Sequence, residues 1–441
     1  MSLPMTVAVS TLGCRLNQVE SQEVLALLES RGFRAAAAGE RARIHIVNTC
    51  TVTGRADFSD RQVIRRVARE TPDALLVVTG CYAQTDAETV ARIPGVDLVV
   101  GNQEKYRLPD LLLGLAKRAQ PDVAVGAIGA ARDVPVAPFA RVSGRSRAFV
   151  KIQDGCQHRC AFCIVPAARG RSRSQAPEVI ADQVRALVGA GYREITLTGV
   201  DIGHYGWDLA PRSSLAALAE RVGQVPGLVW LRLSSVLPAY FSERLFEVVS
   251  RPGVIAPHLH LPLQSGSDRV LRIMRRPYNA RMYRSLAERL AGAIPDLGLG
   301  ADVIAGHPGE RDRDFEATMA LVRELPLSYL HVFPYSDRKG TEATRLGERV
   351  PHRVVRERCA RLRALGRAKN LEFRKRLVGR RMRALVLAER DRETGFLTGL
   401  TSNYVEVLFD GPAELTRRFA RVRITAAGTE RTFAVLEGVD E

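Results

Sequence analysis

Cys156, Cys160 and Cys163 lie in the run Asp-Gly-Cys-Gln-His-Arg-Cys-Ala-Phe-Cys at 154–163, with C-x3-C-x2-C spacing. Three thiolates on one short loop can hold three irons of a 4Fe–4S cube. No fourth cysteine is near them in sequence, so the remaining iron would keep an open position at which a substrate or cofactor can bind. Structural zinc is a competing reading. It calls for C-x2-C pairs in two halves, and no second pair of matching spacing is present. Seven cysteines in 441 residues do not make a disulfide framework. Inert buried thiols would not be expected in a loop containing Gly, His and Arg.

Three of the other cysteines follow a second pattern. Cys14, Cys50 and Cys81 each lie just past a short β run, at 6–10, 44–48 and 74–80. Helical segments at 17–32 and 59–70 separate these runs, and the alternation predicts an open parallel sheet. Ligands gather at the carboxyl edge of such sheets, so cysteines distant in sequence can converge there. Gly13 and Gly80 would let backbone approach a bulky ligand. A buried apolar thiol is the ordinary reading of any one of these cysteines. Three at equivalent strand ends favour a second cluster. Cys359 is left over, in an Arg-rich helical stretch, and reads as a packed helix residue.

The elements that must position the first trio are six strand candidates, at 149–153, 194–198, 230–234, 258–262, 300–304 and 329–333, with helices between them. Six β-α units predict a partial parallel barrel with the three-cysteine loop at its mouth, after the first strand. Polar residues follow the later strands: Gly199 and Asp201, Ser234 and Ser235, Gln264 and Ser265, Asp302 and His307, Tyr335 and Ser336. Each alone also fits a turn or cap role. Residues 376–441 carry five short strand-like runs separated by turns, which predicts a small closed β-barrel of the OB-like kind that often binds oligonucleotides. The stretch 119–146 reads as a linker, since Pro121, Pro135, Pro138, Gly126, Gly129 and Gly144 break regular structure and Arg141, Arg145 and Arg147 add charge. The expected α/β architecture is an N-terminal open parallel sheet domain over 1–118, the linker, a partial (β/α)6 barrel over 147–371 and the small barrel over 376–441.

The net charge of +17 and pI of about 10.1 favour a polyanionic partner, nucleic acid first. Arg far outnumbers Lys, so a genomic bias is the competing explanation. Much of the excess lies in one segment: Arg353, Arg356, Arg358, Arg361, Arg363, Arg367, Lys369, Arg374, Lys375, Arg376, Arg380, Arg381 and Arg383. Val354, Val355, Leu362, Leu365 and Leu371 mark an apolar helical face, so the charges are expected on the other side, solvated or tracking phosphates. The start of the chain shows no basic region followed by an apolar run, and no stretch is apolar for long enough to span a bilayer. A cytosolic protein without a membrane partner is expected.

These residues together resemble the radical S-adenosylmethionine (SAM) methylthiotransferase family over essentially the whole chain. The matching strings are Gly-Cys-Arg-Leu-Asn at 13–17, Asn-Thr-Cys at 48–50, Gly-Cys at 80–81 and the loop 156–163. To these are added Pro-Leu-Gln-Ser-Gly-Ser-Asp at 262–268, the run at 301–310, Tyr-Ser at 335–336 and Gly-Thr at 340–341. Within the family, the strings at 11–18, 48–53, 80–84, 151–156 and 198–201 are most similar to the branch acting on N6-threonylcarbamoyladenosine at position 37 of tRNA. Sister branches acting on isopentenyladenosine or on a ribosomal-protein aspartate usually carry Asp-Ser-Glu after the first motif, where this chain has Gln-Val-Glu-Ser at 18–21. His307 departs from the family, whose members often have Phe or another apolar residue there.

The resemblance implies two 4Fe–4S clusters and SAM. Cys156, Cys160 and Cys163 would ligate the SAM cluster and act catalytically. Cys14, Cys50 and Cys81 would ligate the cluster that donates sulfur. Gly199, Asp201, Ser234, Ser235, Gln264 and Asp302 are the candidate SAM contacts. SAM would methylate a sulfur on the second cluster and would also give a 5′-deoxyadenosyl radical that removes hydrogen from carbon 2 of the adenine. The implied partners are the tRNA anticodon stem-loop, bound partly by a C-terminal TRAM domain, a flavodoxin- or ferredoxin-type electron donor and a sulfur source. A non-catalytic iron–sulfur protein that binds RNA or senses redox state is the alternative of another class.

Overall fold

The computed structural model describes residues 5–135 and 145–440. Pro138, Arg141 and Gly144 of the expected linker lie outside the described residues. The N-terminal sheet contains β1 (Thr6–Thr11), β2 (Arg34–Ala35), β3 (Ile44–Thr49), β4 (Leu75–Gly80), β5 (Leu98–Val100) and β6 (Asp122–Ala124), all parallel, in the order β2-β1-β3-β4-β5-β6. Alternating side chains feed opposite faces. Ile44 and Ile46 of β3 pack with Val24 and Leu28 of helix α1 (Arg15–Glu29), and Val47 packs with Ile64 and Val67 of helix α2 (Gly54–Glu70). Helix α2 starts five residues before the expected position, because the Thr53 side chain caps it by accepting from Ala56 N.

β6 corrects the linker reading. Asp122 N donates to Asp97 O and Gly101 N to Ala124 O, which adds a sheet edge inside the stretch 119–146. Pro121 stands just outside this edge, where its missing donor costs no ladder bond.

The central unit contains β7 (Ala148–Lys151), an antiparallel ribbon of β8 (Gln153–Asp154) and β9 (Arg173–Ser174), then β10 (Glu194–Thr198), β11 (Trp230–Leu233), β12 (His258–His260), β13 (Gly298–Ala305) and β14 (Tyr329–Pro334). Two parallel triplets, β11-β10-β7 and β12-β13-β14, are bridged at Leu231 and Ile255 and by the bond from Val236 N to His260 O. The six long strands thus form an arc matching the expected partial barrel, and among the described residues β7 does not pair with β14. The C-terminal strands β15 (Arg381–Arg390), β16 (Leu397–Thr401), β17 (Glu406–Phe409), β18 (Phe419–Ala427) and β19 (Thr432–Val439) close into a barrel around Val386, Val407, Phe409 and Ile424.

The helix His352–Arg376 joins the two barrels. Val355, Cys359 and Leu362 belong to the central core. Arg358 and Arg374 are buried rather than solvated, contrary to the expected polar face. Arg358 is ion-paired to Glu310 at 2.6 Å and Asp312 at 2.7 Å, and Arg374 donates to the carbonyls of Thr429 and Arg431, clamping the helix to the C-terminal barrel.

The C-terminal barrel also reaches into the central one. Tyr404, at φ +70°, stacks on His258 with centroids 4.2 Å apart, and Arg232 donates to the carbonyls of Thr401 and Ser402 while pairing with Glu194. Gly298 permits this approach, since a Cβ there would lie 2.1 Å from Asn403 O.

The N-terminal sheet docks on the central arc through buried charge. Glu20 of α1 bonds Lys105 at 2.8 Å and Arg169 at 2.8 Å and lies 3.6 Å from Lys151. Lys151 also pairs with Glu23 at 3.2 Å, and Arg169 with Asp154 at 3.1 Å. Burial alone would raise the Glu20 pKa. Arg169, Lys105 and Lys151 outweigh it and hold the carboxyl well below its ordinary 4.5. Glu20→Ala, which leaves three cations short of their counter-charge, is expected to lower unfolding free energy by about 3–5 kcal/mol, measured by urea titration. Because the folded pKa is depressed, the Glu20 contribution is complete above about pH 4.5 and is lost as pH falls below it. Wild-type stability should therefore fall more steeply than that of the variant below this pH.

Candidate functional site

The first thiol trio sits at the carboxyl edge of the N-terminal sheet. Cys14 occupies the N-cap of α1, Cys50 follows β3, and Cys81 opens the short helix Cys81–Thr85 after β4. Gly13, at φ +93°, brings the first two turns together: a Cβ there would lie 2.4 Å from Cys50 Cβ and 2.8 Å from its Sγ. Cys50 and Cys81 are buried and Cys14 is exposed, so the trio opens outward. Burial, followed by the nearby Cys81 and Cys14, pushes the Cys50 thiol up to about 12, and burial also raises Cys81. Around them, Asn17 Nδ2 donates to the carbonyls of Leu12 and Thr49, and Asn102 Nδ2 lies 3.9 Å from Cys81 Sγ.

The second trio follows β8 at the mouth of the central arc. Cys156 N donates to Gly170 O, Ala161 N to Met274 O and Cys163 N to Cys160 O, which fixes the loop backbone. The Arg276 guanidinium approaches Cys160 Sγ at 3.2 Å. Burial pushes Cys163 up to about 11, and burial with the neighbouring Asp201 raises Cys156 well above the ordinary thiol range. Buried thiols of this kind surrender their protons to a bound cation. Both trios have the thiol donors and an N–H···S partner that suit an iron–sulfur cluster, and Gly13 clears the approach at the first.

A cavity of about 210 Å³ lies between the two units, lined by neighbours of Cys50 and Cys163 but by none of the six cysteines. From the N-terminal unit, Val52 and Thr53, just after Cys50, line it. From the central unit come Phe162, Gln264, Asp302, Ile304, Phe333 and Tyr335. Gln264 holds φ +66°, and its buried Oε1 has no hydrogen-bond partner among the described residues, which leaves an acceptor for a bound molecule. Burial opposes ionisation of Asp302, but His260 and His331, each 3.3 Å away, hold its carboxyl below the ordinary range.

The remaining sequence candidates have other surroundings. Ser235 is bonded to His260 Nδ1 at 2.7 Å, and Ser234 Oγ is buried without a partner among the described residues. Gly199 packs on Gln153, whose Oε1 accepts from Val200 N and Asp201 N. The Asp201 carboxylate does not line the cavity. It pairs with His158 at 3.2 Å and His204 at 2.8 Å beside Cys156, and these partners outweigh burial to bring its pKa down to about 2. His307 is buried between Phe162 and Tyr335, with Nδ1 on Pro308 O, and burial lowers its pKa to about 4, so the ring is neutral at pH 7.

Sequence reasoning missed Arg276, Asn102, His158, His204, His331 and the Glu20 cluster as parts of the site. Arg276 meets Cys160 from 116 positions away. His158 had a local signal, since it lies between two cysteines of the loop.

Residues 6–101 match the Uncharacterized protein family UPF0004, and residues 150–322 match the Radical SAM superfamily. The chain is 38% identical to the threonylcarbamoyladenosine tRNA methylthiotransferase MtaB of Bacillus subtilis, covering 96% of this chain and 94% of that protein. It is 36% identical to the protein of the same name from Aquifex aeolicus, with 93% and 98% covered. A tRNA-2-methylthio-N(6)-dimethylallyladenosine synthase of Nocardioides is 36% identical, with 98% and 88% covered. Among solved structures, the radical SAM methyltransferase TsrM of Kitasatospora setae, with cobalamin and a [4Fe-4S] cluster bound, has a similar fold: TM-score 0.55 and 15% identity over 75% of each chain.

Two separate trios make a counting prediction. Anaerobically reconstituted wild type should hold about eight irons per chain, and a triple alanine variant at Cys156, Cys160 and Cys163 about four. Iron determination on both proteins checks it. Loss of all iron from the variant would show that the trios do not load independently.

Proposed function

The chain belongs to the radical-SAM methylthiotransferases, and we propose that it adds a methylthio group to carbon 2 of N6-threonylcarbamoyladenosine at position 37 of tRNA. The observation that carries this reading is a cavity lined from both units by residues that adjoin cysteines, Val52 and Thr53 after Cys50 and Phe162 before Cys163. The threonylcarbamoyl branch is favoured by the motif strings and by the names of relatives in two distant bacteria.

Cys156, Cys160 and Cys163 would hold the 4Fe–4S cluster that binds SAM, and Cys14, Cys50 and Cys81 the auxiliary one. When bound, these groups supply the one-electron chemistry and the sulfur that substitution at an unactivated aromatic C–H needs, which side-chain acids and bases cannot provide. The chain's own residues position and shield. Gln264 and Asp302 present polar atoms to SAM or to the adenosine, while Phe162, Ile304 and Phe333 keep the cavity wall apolar and limit water. Arg276 donates toward Cys160 Sγ, and an N–H···S bond there stabilises the more negative state of a cluster. A low-potential flavodoxin- or ferredoxin-type donor would supply electrons, a separate source would renew the sulfur, and the work would take place in the cytosol. No helix among the described residues is long and apolar enough to cross a membrane.

The C-terminal barrel would serve as a TRAM-type RNA-binding domain. Its outer face forms a groove of about 920 Å³ lined by Arg381, Met382, Arg383, Arg421, Glu437 and Asp440. Among the described residues four arginines, Arg381, Arg383, Arg421 and Arg423, share only those two acids, which leaves positive charge for phosphates.

Mass spectrometry of tRNA nucleosides from cells lacking the gene should show threonylcarbamoyladenosine without its methylthio form, restored by the wild-type gene but not by the Cys156→Ala variant. Unchanged nucleosides would refute the reading. With SAM and dithionite, the reconstituted protein should release 5′-deoxyadenosine, and none would favour a non-catalytic iron–sulfur protein. Affinity for tRNA should fall steeply with salt, and replacing Arg381 or Arg421 by Ala should reduce the log–log salt slope by about 1 each.

A further inference from the structure

One loop touches both cysteine-bearing segments. Residues 335–343 leave the end of β14 along the cavity wall. On one side, Ser336 Oγ accepts from Gly54 N at 2.9 Å, and Arg338 is ion-paired to Asp57 at 2.6 Å and donates to Thr51 Oγ1. Thr51 in turn donates to Asp57 at 2.7 Å, closing a triangle directly after Cys50. On the other side, Arg338 O accepts from Thr341 N and Thr341 Oγ1, and Ala343 N donates to Ala161 O at 2.7 Å. Ala161 lies between Cys160 and Cys163. The Arg338 and Asp57 side chains are only 11% and 13% exposed, so the pair is largely shielded from water and gains in strength and direction.

We propose that the 335–343 loop is a strut that sets the separation of the two cysteine trios, with Arg338 as its positioning residue. The loop enters at the cavity wall with Tyr335 and Ser336, while Arg338, Thr341 and Ala343 do not line the cavity. It fixes the backbone that carries Cys50 relative to the backbone that carries Cys160 and Cys163. Nothing in the radical-generating half of the reaction depends on that separation. Transfer between the two centres does, because both have to reach the same substrate atom. The inference rests on the methylthiotransferase reading above.

The test compares Arg338→Ala, Arg338→Lys and Asp57→Asn with wild type. In the cluster-free proteins, hydrogen exchange at Gly54 and Ala343 should quicken by about tenfold in Arg338→Ala, whereas helix α2 beyond its first turn stays protected. In the reconstituted proteins, iron content and 5′-deoxyadenosine formation should stay within about twofold of wild type, while methylthio product per 5′-deoxyadenosine falls about tenfold or more. Arg338→Lys should recover part of that ratio, and Asp57→Asn should lose part of it. An unchanged product ratio or unchanged exchange at Gly54 and Ala343 overturns the strut. Parallel loss of iron, 5′-deoxyadenosine and product in both Arg338→Ala and Asp57→Asn also overturns it, since the pair would then only stabilise the fold. A wild type that forms 5′-deoxyadenosine but no methylthio product on tRNA refutes the substrate reading instead.

Discussion

The Glu20 carboxylate, buried against Lys105, Lys151 and Arg169, sets how the two cysteine-bearing units face each other. An ion of this kind is costly to desolvate and tolerates little displacement from its partners, so its worth lies in orientation as much as in stability. Lys105 belongs to the N-terminal unit, while Lys151 and Arg169 belong to the central one. Arg169 also bonds Asn17 Oδ1 and Asp154, residues close to Cys14 and Cys156 respectively. A single guanidinium thus registers the backbone of one trio against that of the other.

Around this charge cluster, the site is assembled from backbone that only particular residues permit. Gly13 allows the turn of Cys14 to touch Cys50, and Gly298 allows the loop at Asn403 to enter the central barrel. Tyr404 then fills the end of the barrel away from the cysteine loop, between His258 and Arg232, so the small barrel is built into the central one. An RNA held on the outer face of the C-terminal strands would therefore have a fixed orientation relative to the cavity.

Much of the architecture was legible in the sequence because strand periodicity and strand-end position are local properties. All six central strands, the three cysteine-bearing strands of the N-terminal sheet and the closed C-terminal barrel match their expected places. The strand Asp122–Ala124 was not legible: three residues after a proline carry no periodicity, and only the open edge of β5 gives them a partner. Arg358 and Arg374 were read as solvated because composition cannot show that Glu310 and the carbonyls of Thr429 and Arg431 await them.

The sequence by itself determined the types of ligand atom and their local spacing: three sulfurs within eight residues, and three more at successive strand ends. It also determined the alternation that makes a parallel sheet and an arc. Only the tertiary structure decided that neighbours of Cys50 and Cys163 line one cavity, that Gln264 and Asp302 line it with them, and that Asp201 is held by two histidines beside Cys156. The physical reason is range. Covalent spacing and side-chain alternation act over a few residues, whereas the contacts that join the trios, Arg169 with Glu20 and Arg338 with Asp57, span 149 and 281 positions and exist only once the units have packed.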